Sequence, residues 1–229
     1  MKRVVEPEIL DELSPEHPDA IVSRRDLRRL NHIMHHVPLM RSALVSGTKV
    51  PPVHIIELGA GDGSLMLELA AQMHREWPNV TVLLVDRQPV VSQKTLSQFQ
   101  EFGWTAKSVV ADVFDWLPMA AGEDIVIANL FLHHFSGAKL AELLYLISGR
   151  AKLFVACETR RDWVSLAATR LLGFIGCNAV TRHDAVKSAQ AGFVDGELSA
   201  LWPGKSDWRL TERRARLFTH LFVAQRPGP

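Results

Sequence analysis

Residues 54–63 read His-Ile-Ile-Glu-Leu-Gly-Ala-Gly-Asp-Gly: an apolar run meets an acid, Glu57, and three glycines then follow at alternate positions, Gly59, Gly61 and Gly63. Glycine turns tightly and lets backbone come close to a ligand, because no Cβ stands in the way. The next run, Ser64–Arg75, carries apolar residues at helical spacing. The segment therefore predicts strand, glycine turn, helix. In α/β proteins that unit sits at the edge of a parallel sheet and binds nucleotide-like ligands, with the free N–H groups of the helix start facing them. The glycine spacing separates two kinds of ligand. A dinucleotide fingerprint places its third glycine three residues after the second. Here the interval is two, and Glu57 precedes the turn. A carboxylate at that point suits a cation and repels a diphosphate, so a nicotinamide-dependent enzyme is disfavoured.

The rest of the chain alternates in the same way. Strands are predicted at Val53–Leu58, Val80–Val85, Lys107–Ala111, Asp124–Leu130 and Leu153–Cys157, with helices at Ser64–Arg75, Val91–Phe102 and Ala138–Ser148 between them. Asp162–Phe174 and His183–Ala191 read as helices. Glu197–Trp202, with Trp208–Glu212 as a possible extension, and Leu217–Ala224 read as two closing strands joined by a short link. This pattern predicts an α/β fold with a doubly wound, mostly parallel sheet covered on both faces and an antiparallel finish. Residues 1–47 differ: they are rich in charge and histidine and read as two or three helices, a lid on a core of residues 48–229. With 229 residues, one compact domain with a sizeable core is expected.

A hydrophobic content of 47% and a formal net charge of +1 argue against disorder and against a surface built for polyanions. Cys157 and Cys177 lie in apolar runs with neither metal-ligand spacing nor a disulfide framework, which fits a cytoplasmic protein. The amino terminus lacks an apolar signal core, and no apolar run is long enough to span a bilayer. Leu171–Val180 is the most apolar stretch and reads as core, with a lipid-facing lip as the alternative.

Two further acids follow at strand ends: Asp86 closes Val82-Leu-Leu-Val-Asp86, and Asp112 follows Val110-Ala. Glycine turn, Asp86 and Asp112, in that order on successive strands, share one edge of the sheet. The loop and this order resemble the class I S-adenosylmethionine (SAM)-dependent methyltransferases, recognisably over residues 53–160. The resemblance implies a seven-stranded Rossmann-like sheet with a reversed last strand. It places the methionine end of SAM at Glu57, Gly59, Ala60, Gly61 and Gly63, its ribose at Asp86, and its adenine at Arg87, Asp112 and Val113. Arg87 departs from the family, which more often has an apolar residue there. Asn129 and Leu130, at the end of the fourth strand, lie beside the methyl group in that family.

Asn129 is followed by Leu-Phe-Leu, so the Asn-Pro-Pro-Tyr type of motif for methylating amide or amino nitrogens is absent. The pair His133-His134 instead resembles small-molecule enzymes of the ubiquinone and natural-product kind. Histidine titrates near neutrality and can accept a phenol or enol proton, so His133, and after it His134, are the expected bases. Glu158 and Arg160 after the fifth strand, His36 in the lid and His183 are secondary candidates for contact with the acceptor. Thr181 reads as a helix N-cap with Asp184 in capping-box position. No acid stands at ligand spacing from His32, His35 and His36, so no metal is expected. Arg24, Arg25, Arg28 and Arg29, and also Arg213, Arg214 and Arg216, read as solvated faces rather than a nucleic-acid surface, since no aromatics are interleaved. The expectation is a SAM-dependent methyltransferase for oxygen or carbon of a small aromatic, quinol or polyketide-like acceptor, with a homodimer possible. The rivals are an RNA or protein methyltransferase and an inactive SAM-fold interaction module.

Overall fold

A computed structural model describes residues 1–120 and 125–227. Three helices open the chain: α1 (Ile9–Glu12), α2 (Pro18–Ile33) and α3 (His36–Gly47). The alternating part then runs β1 (His54–Leu58), α4 (Ser64–Met73), β2 (Thr81–Asp86), α5 (Gln93–Glu101), β3 (Thr105–Val110), α6 (Val113–Trp116), β4 (Ile125–Asn129), α7 (Gly137–Ser148) and β5 (Leu153–Thr159). Helices α8 (Trp163–Thr169), α9 (Ala179–Ala191) and α10 (Glu197–Leu201) follow, and strands β6 (Arg209–Arg214) and β7 (Thr219–Gln225) close the chain. Asp124, the expected first residue of the fourth strand, lies outside the described residues.

The strands form one sheet in the order β3-β2-β1-β4-β5-β7-β6. All pairs from β3 to β5 are parallel, while β7 runs antiparallel to both of its neighbours. This is the doubly wound Rossmann-like sheet with a reversed last strand. The order reverses between β1 and β4, so a crevice opens there at the carboxyl ends of the strands. The two faces have separate cores. Ile55, Leu84, Ile127 and Val155 pack beneath α3, α4 and α5. Ile56, Val126, Phe154 and Phe222 pack beneath α7 and α10. Val37, Met40 and Leu44 of α3 belong to the first core, so α3 is part of the body, while Glu8, Leu10, Arg24 and Leu27 from the residues before it line the crevice.

Three expectations are corrected. Glu197–Trp202 is not a strand. Gly196 turns the chain with φ at 90°, and Glu212 accepts from the Leu198 and Ser199 amides at 3.0 and 2.7 Å, capping a short helix instead. Leu198 and Trp202 then point the same way, into the core, with Trp202 stacked on Phe154 at 5.6 Å. The helix predicted from Asp162 to Phe174 ends at Thr169, and Leu171, Phe174 and Ile175 are exposed rather than core. The cap of α9 is Asn178, whose side chain accepts from the Thr181 amide at 2.8 Å, and not Thr181. Among the described residues no helix is long and apolar enough to cross a membrane.

Trp202 is enclosed by Phe154, Trp208 and Phe222. Replacing it by alanine is expected to cost about 3–5 kcal/mol of stability, read by urea denaturation. A loss below about 1 kcal/mol would show that the second core does not depend on it.

Candidate active site

The edge predicted from the order of motifs forms a cavity. Its wall includes Gly59, Gly61, Asp86, Arg87, Asp112 and Val113. Gly59, Gly61 and Gly63 have φ of 67°, 54° and 74°, a region favoured by glycine. A Cβ on Gly59 would fall 2.2 Å from the Phe131 ring, whereas one on Gly61 would meet nothing. The turn is thus packed on one side and open on the other. Ala60 is buried behind it and donates its N–H to Val85 O at 3.1 Å. Asp86 couples the first two strand ends: Oδ2 accepts from Gly61 N and Oδ1 from Gln88 N, both at 2.8 Å. Asp112 caps α6 by accepting from Phe114 N at 2.9 Å.

Glu57 and Asn129 lie on neighbouring strands, with Glu57 opposite Ile127, so both face the same side of the sheet. Burial, with Asp62 and Asp86 nearby, pushes the Glu57 carboxyl well above the usual range. Glu57 Oε2 and Asn129 Oδ1 are buried without a hydrogen-bond partner. Buried acceptors of this kind are costly unless paired, and a cationic donor arriving at the turn would pair them. The residues therefore fit a nucleoside that carries positive charge beside its ribose.

The histidines are arranged differently from the expectation of a free base. His133 is buried between two carboxylates. Its Nδ1 is 2.8 Å from Glu158 Oε2 and its Nε2 is 3.3 Å from Glu8 Oε1. Glu158 Oε1 also accepts from the Phe131 and Leu132 amides at 2.9 and 2.7 Å. Burial alone would lower His133, but hydrogen bonds and charge from Glu158 and Glu8 outweigh it and raise it to about 10. Burial would lift Glu8, yet its bond to His133 and the charges of His133 and His134 hold it down at about 2. His133 is thus a protonated link, and a protonated ring accepts no proton. His134 stacks on it at 4.3 Å and pairs with Asp11 at 3.1 Å. Ligand atoms of Glu8, His133 and His134 lie within 4.8 Å of one another, an acid–histidine grouping that sequence spacing concealed.

Other expected contacts are absent from the cavity walls. His36 is fully buried between Asn31 and Thr219, at 3.0 and 3.1 Å, and burial lowers it to about 4, so it is a neutral core residue. Glu158 is wholly enclosed by the groups it binds. Arg160 pairs with Asp162 and Asp195 at 3.4 and 2.8 Å. His183 rests on Asp184 at 2.9 Å, at the surface. Asp184 does not complete a capping box. It accepts from Ile9 N and Leu10 N, both at 2.9 Å, and so fixes the start of α1.

A second cavity of about 300 Å³ adjoins the first. It is mainly apolar, lined by α2, α8 and α9 through Leu27, Leu30, Ile33, Ala168, Leu172 and Ala185. Glu8, Leu10, Leu27, Leu130 and Ser188 belong to the walls of both cavities. Leu130 holds φ at 50°, a strained conformation for a branched residue. Glu8 was not legible as a site residue: an acid after Pro7 in a charged segment has no distinguishing pattern. Arg24 and Arg28 were read as a solvated face. Arg24 instead lines the first cavity and donates to Gln88 Oε1 at 2.9 Å, and Arg28 pairs with Asp62 beside the glycine turn.

The Glu158–His133–Glu8 link makes stability pH-dependent. His133 contributes fully below its ordinary 6.5, and the contribution is lost as pH rises through about 10. Glu8 contributes fully above its ordinary 4.5, and that contribution is lost as pH falls through about 2. Glu8→Gln is expected to lower stability by about 1.5–3 kcal/mol near pH 5–6, with the melting-temperature gap to wild type narrowing towards pH 10. A gap constant over that range would show that the link carries no charge.

Residues 55–150 match the family described as a methyltransferase domain. Among curated proteins no sequence match is found. Solved structures share the fold. The plantazolicin methyltransferase BpumL, in complex with SAH, superposes with a TM-score of 0.68 at 13% identity, over 93% of this chain and 92% of that one. An O-methyltransferase family protein from Burkholderia thailandensis gives 0.60 at 18% identity, over 93% and 63%. Magnesium protoporphyrin IX methyltransferase (ChlM) from Synechocystis PCC 6803 gives 0.55 at 14%, over 87% and 84%.

Proposed function

We propose that the chain, whose residues 55–150 match a methyltransferase domain, is a SAM-dependent methyltransferase that methylates an oxygen or carbon of a small, largely apolar acceptor held in the cavity between α2, α8 and α9. The observation that carries this is the meeting of the polar and apolar cavities at Glu8 and Leu130. The cofactor, when bound, supplies an electrophilic methyl group on a sulfonium. Glu57 and Asn129 offer their unpaired oxygens to its ammonium, Asp86 takes the ribose hydroxyls, and Asp112 with the Val113 N–H takes the adenine. Gly59, Gly61 and Leu130 shape the passage between the cavities.

In-line displacement needs the acceptor aligned, water excluded and a proton removed. Apolar walls exclude water. Glu8 is the acid at the shared wall, already bound by Ser188 at 2.5 Å and by His133. Held down at about 2, it is too weak a base to keep a hydroxyl proton; it accepts a hydrogen bond from the acceptor hydroxyl and aligns that oxygen with the methyl group, and the proton is lost to solvent once the oxygen is methylated. His133 positions Glu8 and does not itself touch the acceptor. Residues 1–33 act as the lid, latched to the cofactor loops through Arg24–Gln88 and Arg28–Asp62. Those internal partners leave little of this basic face for phosphates, which disfavours RNA. The fold relatives named for plantazolicin and magnesium protoporphyrin IX agree with a small-molecule acceptor.

Asp86→Ala is expected to weaken S-adenosylhomocysteine binding by at least about 100-fold, the loss of two hydrogen bonds to a charged group, measured by calorimetry. Unchanged affinity would remove Asp86 from the cofactor site. Glu8→Gln is expected to lower kcat for phenolic acceptors by about 100-fold through misalignment of the hydroxyl, with S-adenosylhomocysteine affinity retained. Wild-type turnover in that variant would leave Glu8 a purely structural acid.

A further inference from the structure

The apolar cavity opens at an unusual surface. Leu171 is 59% exposed and Phe174 88%, with Ile175 next to Phe174 in the chain and also exposed. Leu171 and Ile175 also line the cavity, and so does the half-exposed Ile33 across its mouth. The crest is therefore continuous with the interior of the cavity rather than a set of scattered surface residues. Single exposed apolar residues are ordinary, but a contiguous group around an opening marks an interaction surface.

Charge indicates what covers it. Arg170 immediately precedes Leu171, and the Arg182 guanidinium lies against Gly173 in the middle of the crest. Arg29 donates to the Ile175 carbonyl and pairs with buried Asp26. Among the described residues, Arg170 and Arg182 have no carboxylate partner. Of the acids on this side, Asp162 caps α8 and pairs with Arg160, and Asp184 in the cavity wall is buried and holds the start of α1. Large apolar side chains fringed by arginine match a bilayer interface with anionic headgroups. Two such crests face to face would bring like charges together, which disfavours a second copy as the occupant.

We propose that the crest of Leu171, Phe174 and Ile175, fringed by Arg170 and Arg182, docks on an anionic lipid surface, and that an acceptor with a long apolar chain enters the cavity from the bilayer through this lip. The proposal rests on the assignment of that cavity to the acceptor. Docking places the mouth against the hydrocarbon, so an acceptor insoluble in water reaches Glu8 without crossing the aqueous phase. Basic residues near the surface attract anionic lipid over about a Debye length, so binding depends on salt.

The test is flotation of the full chain with vesicles of phosphatidylglycerol and phosphatidylcholine, beside pure phosphatidylcholine. Wild type is expected to float with the anionic vesicles and to be released by salt. Leu171→Asp with Phe174→Asp is expected to reduce the bound fraction at least tenfold, and Arg170→Glu with Arg182→Glu to abolish the preference for anionic lipid. Both variants should keep wild-type S-adenosylhomocysteine affinity by calorimetry, which separates this proposal from the methyltransferase assignment. Three outcomes overturn it: wild type that stays unbound with every vesicle, double variants that bind as wild type does, or a wild-type dimer that the aspartate variant dissociates without any lipid binding.

Discussion

One buried cation between two buried carboxylates ties the site together. His133 receives Glu158 from β5 and Glu8 from the start of the chain, and each member alone would be expensive to bury. Glu158 also holds the two amides that turn the chain after β4, so the loop carrying Phe131 and Leu132 is set by the same group. Phe131 in turn packs over Gly59. A single charge network thus connects the amino-terminal segment, the end of β4 and the glycine turn.

The second constraint is that every group assigned to the cofactor comes from the carboxyl ends of β1, β2, β3 and β4. Asp86 bridges the glycine turn and the residues after β2, so the acid proposed for the ribose also fixes the loop it faces. The apolar cavity has another origin: it is built by α2, α8 and α9, outside the matched methyltransferase region. The two cavities therefore belong to different parts of the chain, and they meet at Glu8, Leu10 and Leu130.

The sheet was legible because its signals are local. Apolar strands, glycines that tolerate positive φ and acids at strand ends leave patterns within ten residues. The carboxyl-terminal errors arose where long-range contacts decide. Glu197–Trp202 alternates enough to suggest a strand, but Glu212 and Gly196 make it a helix. His133 was recognised while its state was not, because Glu8 stands 125 residues away in sequence and only the fold brings it to the ring. His36 was read as a lid residue and is core, since its partners Asn31 and Thr219 come from separate elements. Leu171–Val180 looked like core by composition, yet Cys177 and Val180 are buried while Leu171, Phe174 and Ile175 are exposed. Composition cannot tell an interior segment from an apolar lip.

The account stands on the opening between the two cavities. A crystal structure with S-adenosylhomocysteine tests it most directly. The account predicts the ribose on Asp86, the adenine at Asp112, and the sulfur turned towards Leu130 and Glu8 at the entrance to the apolar cavity. A sulfur facing away from that entrance, or side chains closing the passage when the ligand is bound, would contradict it.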